Sequence, residues 1–152
     1  MLIVNSIMAS LHHLAAFTLT ACLIYEFVAF QKNLTVGEAR RIQRIDGWYG
    51  ISSGVLLVVG LLRVFFFEKG ANFYAANPMF WVKMGVFVVV GLLSIYPTIR
   101  FIRWGDRLKS DKAIEVADDE YKRIRLILNL ELVGIALILF AAPAMARAIG
   151  MN

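Results

Sequence analysis

Residues 7–30 read IMASLHHLAAFTLTACLIYEFVAF and form an apolar segment long enough to cross a bilayer as one helix. A transmembrane helix needs about 20 apolar residues to span roughly 30 Å of hydrocarbon. The only two histidines of the chain, His12 and His13, lie side by side inside this segment. Ionisable side chains in a membrane span are candidates for function, because their burial in hydrocarbon is costly. The segment therefore predicts a transmembrane fold and a first functional region.

The composition of the whole chain supports a membrane protein. Hydrophobic residues make up 60% of the 152 residues, and the mean hydropathy is +0.70, whereas soluble domains contain about 45–50% apolar residues. Three further apolar segments follow the first, at about residues 46–67, 79–104 and 124–145. We predict an all-α fold, an integral membrane four-helix transmembrane bundle that forms one domain over residues 1–152.

The distribution of charge predicts the orientation of the bundle. Basic residues concentrate in residues 31–45 and 100–125, while residues 64–82 contain only Lys69. By the positive-inside rule, the first and third connectors are cytoplasmic and both termini lie outside. The net charge of +5 therefore reflects orientation in a lipid bilayer, and we predict no nucleic-acid partner. We expect a multi-pass protein of the bacterial inner (cytoplasmic) membrane.

Helix boundaries are visible in the polar residues between the spans. Thr35 with Glu38 three residues later forms a capping box that predicts a helix start before the second span. Asn77 followed by Pro78 predicts the start of the third helix, because asparagine caps helices and proline suits their first position. Pro97 lies inside the third span, where it removes a backbone hydrogen bond and favours a kink.

Small residues predict where helices pack closely. Gly50 and Gly54 form a small-xxx-small pair in the second span, and we favour packing inside the bundle over a dimer interface for this pair. Gly134 and Ala142 lie on one stripe of the fourth span and suit the same close packing. Pro143 is expected to mark the end of that helix or a bend near it.

Successive spans cross the membrane in opposite directions, and this sorts the buried ionisable residues into two layers. Cations and an imidazole in a low-dielectric layer require an anion, because each charge loses its hydration and like charges repel. Haem carboxylates, another porphyrin or a quinone head group would satisfy the outer layer. The inner layer is expected to form ion pairs between helices, with a proton path as the alternative. The outer layer contains His12, His13, Arg63 and Lys83, and the inner layer contains Glu26, Asp46, Glu131 and Arg100.

The two histidines are candidate ligands of a haem iron. Adjacent residues on a helix point about 100° apart, so one haem cannot take both His12 and His13. A second axial ligand would come from Lys83, a methionine or another subunit. The alternative is that the histidines are packing residues, hydrogen-bonded to their neighbours.

Short motifs lie along most of the chain: a histidine early in the first span, an Arg-Arg pair before the second, Trp-x-Lys at the start of the third and an Arg-to-Asn stretch that opens the fourth. Together they resemble the HemJ-type protoporphyrinogen oxidases, small bacterial membrane proteins that bind haem and oxidise protoporphyrinogen IX. The chain resembles more closely a sister family of predicted membrane proteins. The resemblance implies the four-helix fold, a haem site and roles for residues at matching positions. These are the first-helix histidine at His12, the arginine pair at Arg40 and Arg41, the Trp-x-Lys motif at Trp81 and Lys83, and the fourth-helix asparagine at Asn129.

The chain also departs from the HemJ pattern. Where that pattern has Gly-Tyr-His in the third span, this chain has Ile95-Tyr96-Pro97. Where it has Asn-Glu-x-Pro at the fourth span, this chain has Asn129-Leu130-Glu131 and no proline. The resemblance therefore implies the fold and the haem site more than the substrate.

We predict a haem-b-binding membrane oxidoreductase that passes electrons between a small reductant and a quinone-like acceptor. Its partners would be the lipid bilayer, a quinone or porphyrin, and a second copy in a homodimer. The alternative is a cofactor-free structural or assembly protein, or a small oligomeric transporter. The predicted catalytic residues are Lys83 and Arg41, the metal ligand is His12, and the cofactor-binding residues are His12, His13, Arg63, Lys83 and Asn129.

Overall fold

The structure, a computed structural model, describes residues 2–67 and 70–147. The predicted all-α membrane fold is confirmed, because the chain is 87% helical and has four helices long and apolar enough to cross a membrane. These are α1 (Leu2–Ala29), α2 (Val36–Leu62), α4 (Pro78–Arg103) and α6 (Asp118–Ala146).

Shorter elements connect the long helices. A π-helical segment, Arg63–Phe67, continues α2, and the six-residue helix α3, Ala71–Ala76, precedes α4. The helix α5, Gly105–Lys109, follows α4. Two short strands, β1 at Asn33–Leu34 and β2 at Ile114–Glu115, pair antiparallel, so Leu34 lies opposite Ile114.

The long helices form a ring in which each packs against two others. The pairs α1 with α2 and α4 with α6 make the most extensive contacts, and α1 with α6 and α2 with α4 close the ring. Each long helix packs against the next long helix along the chain, which makes this an up-down bundle. We call the end formed by residues 30–35 and 104–117 the basic end, and the end formed by residues 63–67 and 70–78 the far end.

The strands β1 and β2 join the two connectors of the basic end. Leu34 and Ile114 are each only 2% exposed, and the Phe30 ring stacks on Tyr121 at a centroid distance of 5.4 Å. Lys32 and Asp118 form an exposed ion pair beside them at 2.5 Å. The Asp118 carboxylate raises the pKa of the Lys32 ammonium group, although exposed pairs stabilise little. The apolar contacts therefore hold this end together.

The predicted helix starts are confirmed. The Thr35 hydroxyl accepts a hydrogen bond from the Glu38 amide at 3.3 Å, and the Glu38 carboxylate accepts one from the Thr35 amide at 2.8 Å. The Asn77 side chain accepts a bond from the Met79 amide at 3.0 Å, with Pro78 in the first position of α4. The capping box starts α2 well before the apolar span at residue 46, so α2 extends beyond the membrane at the basic end.

The predicted close packing at Gly134 is confirmed, whereas the prediction that Gly50 and Gly54 pack inside the bundle is wrong. A Cβ atom on Gly134 would lie 2.3 Å from Cγ2 of Val90, so α6 approaches α4 as closely as a glycine allows. Gly50 and Gly54 are exposed, and a Cβ atom on either would meet nothing within 4 Å. The reason is that α2 turns a different face, which includes Gly60, toward α1.

The distribution of apolar side chains is that of a membrane protein. Large apolar side chains cover the outside of the bundle, for example Phe17 at 75% and Phe140 at 80% exposure. Exposed apolar surface of this extent requires a lipid solvent.

Pro143 lies inside α6, three residues before its last residue, Ala146. Pro97 likewise lies inside α4 and is buried.

Candidate functional site

His12 lies on the face of α1 that packs against α2 near the far end. Its ring carbon Cε1 would lie 3.2 Å from a Cβ atom on Gly60, and its Nδ1 would lie 3.6 Å from the same atom. The glycine therefore provides the room that the imidazole occupies. A larger residue at position 60 would have to displace the ring.

The Nδ1 atom of His12 is buried and has no hydrogen-bond partner among residues 2–67 and 70–147. The charges of Lys83 and Arg63 act on this imidazole, together with His13. Buried polar atoms are nearly always hydrogen-bonded, so each exception calls for an explanation. The structure brings His12, Arg63 and Lys83 to the same end of the bundle, and we call these three residues the far layer.

His13 points away from the far layer. Its ring centre lies 6.3 Å from that of His12 in an edge-on arrangement, and its side chain is exposed on the outside of the bundle. The divergence follows from the 100° rotation between adjacent helical residues. Of the two candidate ligands, only His12 faces the interior.

The two cations of the far layer come from different elements. Lys83 lies in the second turn of α4 and is half-buried, and no carboxylate within the described ranges forms an ion pair with it. Arg63 begins the π-helical segment after α2, and its charge acts on Lys83. Single π-helical turns are rare and often occur at functional sites.

The structure does not bring Arg41 and Asn129 to the far layer. Arg41 is exposed near the start of α2, 22 residues before Arg63, which is about 33 Å along a helix. The Asn129 side chain is exposed on α6 and donates to the Arg125 carbonyl at 2.9 Å. Arg40 donates to the Leu108 carbonyl at 2.8 Å and ties α2 to α5. These residues lie in the half of the bundle nearest the basic end, which we call the basic half.

A second group of buried ionisable side chains lies in the basic half. Glu26 on α1, Asp46 on α2 and Glu131 on α6 are 2%, 6% and 1% exposed. The charges of Asp46 and Glu131 both act on Glu26, so the three carboxyl groups face a common region. We call these three residues the acidic layer.

The fourth long helix contributes hydroxyl groups to the acidic layer. Thr98 on α4 donates to the Asp46 carboxylate at 2.7 Å. Tyr49, one turn beyond Asp46 on α2, is 4% exposed, and the Ser94 side chain of α4 lies beside it. Sequence reasoning did not identify Tyr49, Ser94 or Thr98, because single hydroxyl residues in an apolar helix carry no signal that separates them from packing residues.

The prediction that this layer forms ion pairs is wrong. Arg100 pairs with Glu120 at 3.6 Å and stacks over the Tyr96 ring. Arg125 donates to the Phe27 carbonyl and lies over the Phe27 ring. In the part of the chain that the structure describes, none of the ion pairs includes a member of the acidic layer.

Two oxygens of the acidic layer lack partners. Oε1 of Glu26 and Oε1 of Glu131 are buried without a hydrogen bond to any described residue. Within the same residues, no group of three or more histidine, cysteine, aspartate or glutamate side chains is arranged to hold a metal ion.

Surface cavities of about 160 and 410 Å³ lie at the basic end, lined by Arg107, Glu115 and neighbouring side chains.

The fold and these two layers define a four-helix integral membrane protein with ionisable side chains buried at two depths. The family described as "Predicted membrane protein (DUF2214)" matches residues 4–150, and the chain belongs to this family. No curated protein and no solved structure matches the chain. The family match confirms the predicted membrane-protein family and contains no link to the HemJ-type oxidases.

Proposed function

We propose that the protein binds haem b through His12 and passes electrons between a small reductant and a quinone-like acceptor in the bacterial inner membrane. The observation that carries this proposal is the imidazole of His12. It lies within a membrane-spanning helix, its buried Nδ1 has no hydrogen-bond partner among the described residues, and the charges of two cations act on it.

The residues of the far layer fit the chemical groups of haem. Histidine nitrogens hold the iron in many haem proteins, and His12 is the histidine whose side chain faces the interior of the bundle. Arg63 and Lys83, as cations, would neutralise the haem carboxylates. In the alternative arrangement, Lys83 as a neutral amine would help to hold the iron, and Arg63 would face the carboxylates. A bound haem would supply one-electron chemistry, while these side chains would hold and orient it.

The HemJ-type resemblance supports a porphyrin as a further ligand of the same site. A porphyrin carries carboxylates that match the same cations, so haem and a porphyrin substrate would compete for Lys83 and Arg63. Since Arg41 and Asn129 lie toward the basic end, the proposed site consists of His12, Arg63 and Lys83. We do not assign Arg41, Asn129 or His13 to it.

The test is the absorption spectrum of the detergent-purified protein after expression with ample haem, as isolated and after dithionite reduction. We expect a Soret band and b-type reduced bands, with stoichiometric haem in a pyridine haemochrome assay. His12→Ala should lose these bands, whereas the adjacent exposed His13→Ala should keep them. Circular dichroism and gel filtration establish that both variants fold.

Two results contradict the proposal. One is a wild-type protein that stays colourless after reconstitution with haem. The other is a folded His12→Ala variant that retains the full spectrum.

Lys83→Met should weaken haem binding or change the spin state, with the exposed Lys109→Met as its matched control.

The alternative proposal is a cofactor-free structural or assembly protein, or a small oligomeric transporter. The acidic layer supports it, because unpaired carboxyl groups in a membrane interior are common features of ion and proton paths. Four helices enclose little space for a path in one chain, so a transporter would be a stable oligomer, of which a homodimer is the simplest. A colourless protein that elutes as a stable oligomer in light scattering would favour this alternative over haem binding.

A further inference from the structure

All four long helices contribute polar groups to one region in the basic half of the bundle. The carboxyl groups come from α1, α2 and α6, and α4 contributes Thr98 and Ser94. A membrane protein tolerates such groups in its interior only when they are paired or bind a ligand, because an isolated ionised carboxylate in hydrocarbon is very costly.

Within residues 2–67 and 70–147, no cation pairs with the acidic layer. The basic side chains nearest along the chain are engaged elsewhere, Arg100 with Glu120 and Arg125 with Phe27. The other groups that face the layer are neutral hydroxyls or a thiol. They are Cys22 from α1, Tyr49 from α2, and Ser94 and Thr98 from α4. Helix α6 contributes the Glu131 carboxyl group of the layer itself.

We propose that Glu26, Asp46 and Glu131 form a proton-binding site, in which protons supply the positive charge that the acidic layer lacks. A protonated carboxyl group gains an O–H donor. It also loses its charge, which is the unfavourable property of a carboxylate in hydrocarbon. The buried Oε1 atoms of Glu26 and Glu131 have no partner among the described residues that would stabilise an ionised form. The three carboxyl groups thus require a small cation inside the bundle, and a bound proton neutralises a carboxylate completely.

The arrangement of ligands favours protons over metal ions. The described residues provide no group of three or more acidic, histidine or cysteine side chains arranged around a metal ion. A proton needs only one carboxyl oxygen, and a neighbouring hydroxyl such as that of Thr98, which donates to Asp46, can extend the network. This inference concerns the basic half of the molecule and does not rest on the haem proposal.

The test is infrared spectroscopy of the protein reconstituted in liposomes, which detects the C=O stretch of protonated carboxylic acids separately from carboxylates. At neutral pH we expect such a band in the wild-type protein, with the small downshift in D₂O that an exchangeable proton causes. Glu26→Gln and Glu131→Gln should each reduce the band. Glu115→Gln, at an exposed glutamate of the basic end, should leave it unchanged.

A second measurement keeps the inference testable if one variant folds poorly. Since glutamine resembles a protonated glutamate, folded Glu131→Gln should have the wild-type Tm at neutral pH. At alkaline pH the wild-type Tm should fall more than that of the variant, because ionisation inside the bundle is unfavourable. Equal slopes of Tm against pH would contradict a buried proton.

Two further outcomes would overturn the proposal. The first is a wild-type spectrum at neutral pH without a carboxylic-acid band, or a band that both glutamine variants leave unchanged. The second is the loss of the band on addition of Na⁺ or K⁺ at constant pH, since this result would assign the acidic layer to an alkali cation. A persistent band in either salt supports the proton.

Discussion

At the scale of single residues, the packing of glycines separates interior from exterior faces. Gly134 and Gly54 are chemically identical positions in apolar helices, and both belong to stripes of small residues that suit close packing. Only the structure distinguishes them, because a Cβ atom meets Val90 at the first and nothing within 4 Å at the second. The rotation of each helix about its axis decides this difference.

We expect Gly134→Ala to destabilise the fold. The added methyl group would lie 2.3 Å from Val90 Cγ2, and overpacking of a core costs about 1–3 kcal/mol. The free energy of unfolding in mixed micelles measures the effect. The matched variant Gly54→Ala should be neutral or stabilising by up to about 1 kcal/mol, because alanine favours helix formation.

A companion variant checks the mechanism of this prediction. Val90→Ala removes the methyl group with which the new Cβ atom collides. The double variant of Gly134→Ala with Val90→Ala should therefore lose less stability than the sum of the single variants. Strict additivity would show that the cost arises elsewhere.

The ionisable residues show the same limit of prediction. The sequence identified His12, Lys83, Glu26 and Glu131 as buried groups, and the structure places all four at least half inside the bundle. The sequence did not predict that Glu26 and Glu131 would face each other across a region in which no described residue supplies a paired cation. Which side chains meet depends on the packing of four helices, whereas the depth of each follows from its position along its own span.

At the scale of elements, the two N-caps differ in how much they hold. The Thr35 cap is exposed and acts within α2 alone. The Asn77 side chain is fully buried and also donates to the Met145 carbonyl at 2.9 Å, which fastens the start of α4 to the end of α6. The sequence predicts both caps, because capping is local, but it cannot reveal the second bond of Asn77.

We expect Asn77→Ala to cost more stability than Thr35→Ala. Loss of an N-cap costs about 1 kcal/mol, and loss of the hydrogen bond to the Met145 carbonyl adds about 0.5–1.5 kcal/mol. Chemical unfolding followed by circular dichroism measures both variants. An equal loss for the two variants would mean that the bond to Met145 contributes nothing, and Asn77→Asp, which keeps the cap but removes the donor, locates the effect.

The strand pair at the basic end is an element that the sequence did not reveal. Each strand has two residues, and the partners Leu34 and Ile114 are 80 positions apart in the chain. Two residues are too few for the alternation that identifies strands. The pairing exists because the ends of the helices bring the two connectors together.

At the scale of the whole molecule, the orientation of the bundle is the prediction with the widest consequences. Of the 16 arginine and lysine residues, 12 lie in residues 31–45 and 100–125, at or next to the basic end, so the positive-inside rule predicts that this end is cytoplasmic. The far layer would then lie toward the outer side of the membrane and the acidic layer toward the cytoplasm. Protons would reach the acidic layer from the cytoplasmic side.

Cysteine accessibility tests this orientation. In a Cys22→Ala background, Asn72→Cys in the connector at the far end should react with a membrane-impermeant thiol reagent in intact cells. Ser110→Cys at the basic end should react only after permeabilisation, and both positions are exposed in the structure. The opposite pattern would place the basic end outside.

The sequence by itself determined that the chain spans a membrane four times, where its capped helices begin, and the burial of His12, Lys83, Glu26, Asp46 and Glu131, although not the exposure of His13. These properties follow from hydropathy, capping and position along a helix, all of which act over short stretches of chain. The tertiary structure alone decided that Gly60 makes room for His12, that Gly50 and Gly54 face outward, and that three carboxyl groups converge. The physical reason is that these contacts depend on the rotation and approach of helices, which are set by side chains far apart in the sequence.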